Sequence, residues 1–209
     1  MWRFVLKENI RRFRAQIEHE TSAAKRETLQ SLLADAEVEL AELDRASTPE
    51  AVKGDASLGM FAERAIDQAM KLHGAQFGIL QVYDDALCAL QILAQKNFRA
   101  EYLRPFVSIN PDEGSVSGRS FKEGRTITIE DVNSDPSFEL RRQTAKEGGF
   151  EAVQSSPLKS GDLVIGVLST HFTKPQQFTP RDVQRMDRYA SSIGAELHKH
   201  LRTAAQTQR

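Results

Sequence analysis

The sequence predicts an α+β fold: an antiparallel sheet with helices on both faces, preceded by an N-terminal helical hairpin. Three observations predict it. Apolar residues recur at spacings of three and four at both ends of the chain, the period of an amphipathic helix. Between those ends, strand-like apolar runs come in pairs joined by tight-turn residues, Asp84-Asp85 and Ser160-Gly161-Asp162, and consecutive hairpins build antiparallel sheets. Residues 163–172 are largely apolar on both alternating faces, as in a sheet covered on both sides.

Taken in order, residues 1–46 contain no Gly and no Pro and read as helix. Trp2, Leu6, Ile10, Phe13 and Ile17 form one stripe, and Leu29, Leu33, Ala36, Leu40 and Leu43 a second. Stepping on from Ile17 lands on Glu20, Ala24, Glu27 and Ser31, so the stripes belong to two helices. Thr21 and Ser22, good N-caps, sit at the break. The first helix is basic (Arg3, Lys7, Arg11, Arg12, Arg14) and the second acidic (Glu27, Asp35, Glu37, Glu39, Glu42, Asp44), a complementarity that favours a hairpin. Exposed pairs of this kind add only about 0.5 kcal/mol each, so an apolar seam must supply most of the energy.

Residues 47–57, STPEAVKGDAS, have the composition of a linker. Residues 58–73 read as helix, with Phe61, Ala65, Ala69 and Leu72 on one face. Strands are expected at 75–83, 87–95, 126–129, 152–159 and 163–172, and a helix at 137–147. A final helix opens with Thr179 as cap and Pro180 at its first position and runs to about residue 203. The expected organisation is a helical segment 1–46, a linker 47–57, a domain 58–203 and a tail 204–209.

The chain has 209 residues, 40% hydrophobic and 27% charged, with a formal net charge of -1. That balance is ordinary for a globular protein and gives no global drive toward nucleic acid or acidic membranes. No stretch is apolar for long enough to span a bilayer. Met1 to Arg14 lacks the apolar run and cleavage site of a secretory signal. Cys88 is the only cysteine, so no intrachain disulfide forms and a cytoplasmic location is expected.

Residues 58–200 resemble a GAF domain. GSVSGRSFKEGRTITIEDV (114–132) is similar to the family's glycine-opened helix and short strand, and DPSF (135–138) to the loop that follows. GFEAVQSSPLKSGDLVIGVLSTHF (149–172) is similar to its last hairpin, and FTPRDVQRMDRYASSIGAEL (178–197) to its closing helix. The variant resembles the GAF domains found with PAS domains and HWE-type histidine kinases in bacterial two-component systems. The resemblance implies that the terminal helices pack on one face of the sheet. It also implies a ligand pocket between the other face and residues 96–150.

On that basis the expected ligand-binding residues are Phe106, Phe121, Asp131, Phe138, Arg141, Gln154, Ser156 and His171. Gln154, Ser155, Ser156 and Pro157 interrupt an apolar strand; buried polar groups need partners, which are either neighbouring loops or a ligand. Arg141 and Arg142 either meet an anionic ligand at the pocket mouth or, as exposed arginines usually do, stand in solvent. Asp131, Asp135 and Glu139 read as turn and cap residues rather than a catalytic carboxylate pair. GSVSG lacks the Lys-Ser/Thr of a nucleotide P-loop. The resemblance to bilin-binding members fails at the missing Cys-His pair. The resemblance to free-methionine-sulfoxide reductases fails because one Cys cannot complete a disulfide cycle. Cys88 reads as a small buried hydrophobe. His198 and His200, two apart on a helix, diverge, and no metal spacing is present.

The resulting expectation is a non-catalytic sensory or regulatory module with no cofactor and no metal. It would bind a small ligand or a partner such as a histidine kinase, and signal through the helices of a homodimer. Met186, Ala190, Ile193, Leu197 and Leu201 are the expected dimer interface. The alternative is a scaffold whose pocket its own side chains fill, with Phe106, Phe121 or Phe138 as the plug. Nucleic-acid binding by residues 3–14 is not expected, because the acidic second helix neutralises that face.

Overall fold

The computed structural model describes residues 10, 13, 14, 16–18, 20–45, 49–85, 87–103, 106 and 108–207. They fall into two compact units, Met1–Ser57 with Ala204–Arg209, and Leu58–Thr203.

In the first unit, the described residues between 10 and 18 are helical and Glu20 to Ser22 are not. Helix α1, Ala23–Arg45, follows. The Ser22 carbonyl accepts the Arg26 N–H at 2.9 Å, closing the first helical turn. The chain reverses at this break. Arg14 Nη2 donates to Glu37 Oε1 at 2.6 Å across 23 residues, whereas one straight helix would hold such residues about 35 Å apart. The pair is the charge complementarity expected of a hairpin. Both partners are exposed, so it contributes under about 1 kcal/mol. Ile10, Phe13 and Ala36 of the two stripes are buried. Trp2, Leu6, Arg3, Lys7, Arg11 and Arg12 lie outside the described residues.

Helix α2 spans Pro49–His73. The expected linker 47–57 is therefore corrected from Pro49 onward. Proline suits a first helical turn because its missing N–H is unpaired there anyway, and one glycine among Ala, Glu and Lys is too few to stop a helix. The last helix also runs past its expected end, so most of the expected tail, as far as Thr207, is helical.

In the second unit six antiparallel strands form one sheet in the order β3-β2-β1-β6-β5-β4. They are β1 Phe77–Asp84, β2 Ala89–Lys96, β3 Ser108–Ile109, β4 Ile127–Ile129, β5 Ala152–Ser160 and β6 Leu163–Phe172. Helix α3 is Ala100–Leu103, α4 Val116–Glu123, α5 Arg142–Gly148 and α6 Pro180–Thr207. Short 3-10 turns, Pro111–Glu113 and Pro136–Arg141, precede α4 and α5. Cys88 is not in a strand. It occupies the turn before β2 with φ +48° and is exposed, so its expected burial is corrected.

One face of the sheet carries α2 and α6. Ala62, Ala65, Ile66 and Ala69 from α2 meet Leu80, Leu158 and Leu168 from the strands, and Met186, Ala190 and Leu197 from α6 complete this core. The alanines let the helix lie close to the strands. Gly194 takes this furthest: a Cβ there would land on the backbone of Lys159. Thr179 and Asp182 form a reciprocal cap at the start of α6, each backbone N–H reaching the other's side chain at 3.2 Å.

This core corrects the expected dimer seam. Met186 is 1% exposed and Ala190 and Leu197 are 0%. Ile193 and Leu201 pack against the same cluster. The sheet and α2 cover most of the stripe within one chain. Among the described residues no helix is long and apolar enough to cross a membrane.

Candidate functional site

The opposite face of the sheet is built differently. The β5–β6 ladder sets Val153 opposite His171 and Ser155 opposite Ser169, and β1 sets Ile79 opposite Ser169. These side chains form the floor of a cavity of about 80 Å³. Its walls come from the middle of the chain: Tyr102, Phe106, the first turn of α4 from Ser115 to Ser117, Phe138, Arg141 and Phe150.

The walls hold one another in place. Phe98 stacks on Tyr102 at 5.2 Å, and Tyr102 meets Phe106 at 5.1 Å. Phe138 stands edge-on to Phe150 at 6.3 Å. The His171 ring is clasped edge-on by Phe98 at 5.0 Å and Phe150 at 4.7 Å. Such pairs are worth about 0.5–1.5 kcal/mol beyond their burial. The Ser155 and Ser169 hydroxyls bond each other at 2.7 Å on the floor.

His73, Gln91, Gln154, Thr170 and His171 each have a buried side-chain atom without a hydrogen-bond partner among the described residues, and of these His171 is the one that lines this cavity. It is buried, and its Nδ1 has no hydrogen-bond partner. Burial pushes its pKa down to about 3, so at neutral pH the ring is uncharged. Burial, with the Glu147 charge second, pushes the Tyr102 phenol up. Arg141 is the one charged side chain among the described lining residues, and its Nη2 donates to the Glu113 carbonyl.

Of the residues expected at the site, Phe106, Phe138, Arg141 and His171 line the cavity. The other four lie elsewhere. Phe121 stacks on Tyr83 at 4.5 Å. Asp131 closes a turn, accepting the Asn133 N–H at 2.9 Å and the Ser134 hydroxyl, bonds that lower its pKa. Gln154 and Ser156 point to the helix-covered face, where Ser156 meets Thr126 Oγ1 at 2.7 Å and Thr126 in turn donates to Asp187. Asp135 caps a 3-10 turn through the Ser137 N–H at 2.8 Å.

A single irregularity explains the error on β5. Counted straight from the Ser160–Leu163 pair, Gln154 would face Ser169, and Gln154 and Ser156 would share the side of His171. The register shifts between Leu158 and Lys159, and beyond it Ser155, not Ser156, sits on that side. For this reason Ser156 was preferred to Ser155. Ser169 was missed, and Tyr102 and Phe150 were missed because aromatic residues of a four-residue helix and a loop carry no period. The Phe-Glu-Ala-Val phrase at 150–153 was the available signal: its alternation runs directly into the strand.

Among the described residues the other histidines, His73, His198 and His200, lie away from this cavity. His198 Nδ1 pairs with Ser160 Oγ at 2.5 Å, and the His200 ring packs on Phe61 at 4.8 Å. His73, at the end of α2, lines a second cavity of about 120 Å³ with Asp182 and Arg185. Burial and then the Arg185 charge lower its pKa. Among the described residues no group of three or more His, Cys, Asp or Glu is placed to hold a metal ion.

A family model described as a GAF domain matches residues 55–198. A domain assigned to a two-component sensor histidine kinase of Sinorhizobium meliloti 1021 superimposes with a TM-score of 0.56 at 16% identity, covering 71% of this chain and 95% of that one. The blue-light absorbing form of the Thermosynechococcus elongatus PixJ GAF domain gives 0.56 at 16%, covering 77% and 96%. The type II free methionine-R-sulfoxide reductase of Thermoplasma acidophilum gives 0.54 at 15%, covering 68% and 96%. At these identities the likeness is one of fold. No curated protein matches the chain.

Proposed function

Because this chain belongs to the GAF domain family, we propose that it is a non-catalytic sensory module whose cavity takes a small molecule and whose helices report the event. The observation that carries this reading is His171: it lines the cavity, and its buried Nδ1 has no partner among the described residues. An unsatisfied buried polar atom costs roughly 1–3 kcal/mol, and a ligand offering a hydrogen bond removes that cost. Ser169 and His171 lie on β6, whose other face packs through Leu168 against α2 and α6. A change at the cavity would pass through this one strand to both helices.

The same reading covers the partner and the reaction class. One structural neighbour is assigned to a sensor histidine kinase, so a kinase of that type is the partner class proposed, with a cytoplasmic site of action. The reductase neighbour does not transfer its activity in this reading, because Cys88 is the only cysteine. A homodimer remains part of the proposal but not through Met186, Ala190 or Leu197. Light scattering at high micromolar concentration tests it, and a monomer there removes it.

The small volume supports a second reading, a scaffold whose rings largely fill the pocket. Native mass spectrometry of the purified full chain separates the two. A retained small molecule, lost in His171→Phe, is the outcome expected of a sensor. A bare chain, unshifted by any member of a metabolite library, is the outcome expected of a scaffold.

A further inference from the structure

The cavity's size and lining narrow what it takes. Drug-sized ligands occupy pockets of about 300–1,000 Å³, and an engineered cavity of about 150 Å³ suffices for benzene. At about 80 Å³ this cavity encloses less than one ring, so its occupant is small and extends to the mouth. Nucleotides and tetrapyrroles exceed it several-fold.

The shape is set by Tyr102, Phe106, Phe138 and Phe150, flat walls that favour a flat body through stacking and edge contacts. The charge is set by Arg141. Among the described residues, one of its five N–H donors is directed to a carbonyl, that of Glu113. The guanidinium fork matches a carboxylate in two parallel hydrogen bonds. The first turn of α4, with Ser115 as cap, faces the same space, and a helix N-terminus favours an anion. One cation with one helix end suits a single negative charge better than a phosphate dianion. The buried end of the lining is His171, whose Nδ1 has no partner among the described residues.

We propose that the ligand is a small planar monocarboxylate, its carboxylate on Arg141 at the mouth, its flat body among the aromatic walls and a hydroxyl or N–H group reaching His171. This rests on the reading of the cavity as a ligand site. The test uses the full chain and a matched pair of probes, 4-hydroxybenzoate and 4-hydroxybenzamide, by titration calorimetry, with methyl NMR reporting on Ile79, Val116 and Val153. The acid should bind at least tenfold more tightly than the amide and shift those methyls. Arg141→Gln should erase the preference, and Arg141→Lys should keep part of it, which guards against a folding defect in the first variant. Equal binding of acid and amide, or a preference that survives Arg141→Gln, overturns the carboxylate and leaves the cavity reading standing. Binding that leaves the three methyls unmoved overturns the cavity reading itself. Absence of binding by either probe, with a neutral molecule retained in native mass spectra, overturns only the carboxylate class.

Discussion

The two faces of the sheet are made from the same strands and serve opposite ends. The face under α2 and α6 is a packed core of Ala, Ile, Leu and Met in which the buried members are 0–9% exposed, and a glycine lets helix and strand backbones approach closely. The face under the middle region is built from aromatic rings, a serine pair and an orphaned histidine around open space. The first face spends its residues on stability. The second gives up some stability for a shape that another molecule can complete.

Substitutions probe that division, and the largest effect is expected at Gly194. Gly194→Val would drive its side chain into the Lys159 backbone and lift α6 from β5. Overpacking usually costs about 1–3 kcal/mol and sometimes more; here backbone is the obstacle, so roughly 3 kcal/mol or more is expected from denaturant midpoints. A loss under about 1 kcal/mol would mean that the helix does not lie where we place it.

Leu197→Ala comes next. Its side chain is 0% exposed in the helix-side core, and such truncations cost about 2–5 kcal/mol. The loss should be the same at low and high protein concentration, since the contacts are within one chain. A concentration-dependent midpoint would restore this residue to an interface between copies.

The cavity face should show itself through pH. His171 has a folded pKa of about 3 against about 6.5 when exposed. Between those values the unfolded chain binds a proton that the folded chain refuses, so stability falls as pH drops through that window. Urea midpoints at pH 7 and pH 5 should therefore differ less for His171→Phe than for the parent. Equal differences would show that the ring is solvated.

Arg141→Gln is expected to be the mildest, within about 0.5 kcal/mol in the absence of ligand, because a partly exposed arginine bonded to one loop carbonyl adds little. A large loss would make Arg141 a structural strut and weaken its assignment to a ligand.

Reading the sequence succeeded where local chemistry dictates local structure. The Thr179-Pro180 start of α6, the Ser160-Gly161-Asp162 hairpin and the break at Thr21-Ser22 all rest on side chains acting within a few residues. It failed where distant packing decides. A linker-like composition proved to be helix from Pro49 onward, Cys88 left its strand for a positive-φ turn, and the α6 stripe assigned to a second copy was claimed by the chain's own sheet. At the site, Phe138, Arg141 and His171 were legible because they end or follow regular elements. Tyr102, Phe150 and the serine pair were not, because their positions depend on strand register and on ring packing between segments.

That register rests on the irregularity between Leu158 and Lys159. It acts as a phase setting for the whole hairpin. Before it on β5 and after it on β6, odd-numbered residues look into the cavity and even-numbered ones look at the helices. Removing one residue from β6 just past it, at Val167, would exchange the two sets, turning His171 and Ser169 toward α2 and α6 and presenting Thr170 and Leu168 to the aromatic rings. Composition, length and hydrophobicity would hardly change, yet the recognition surface would be gone. The sheet's sidedness is thus stored in a one-residue offset, which a chain can gain or lose in a single insertion or deletion.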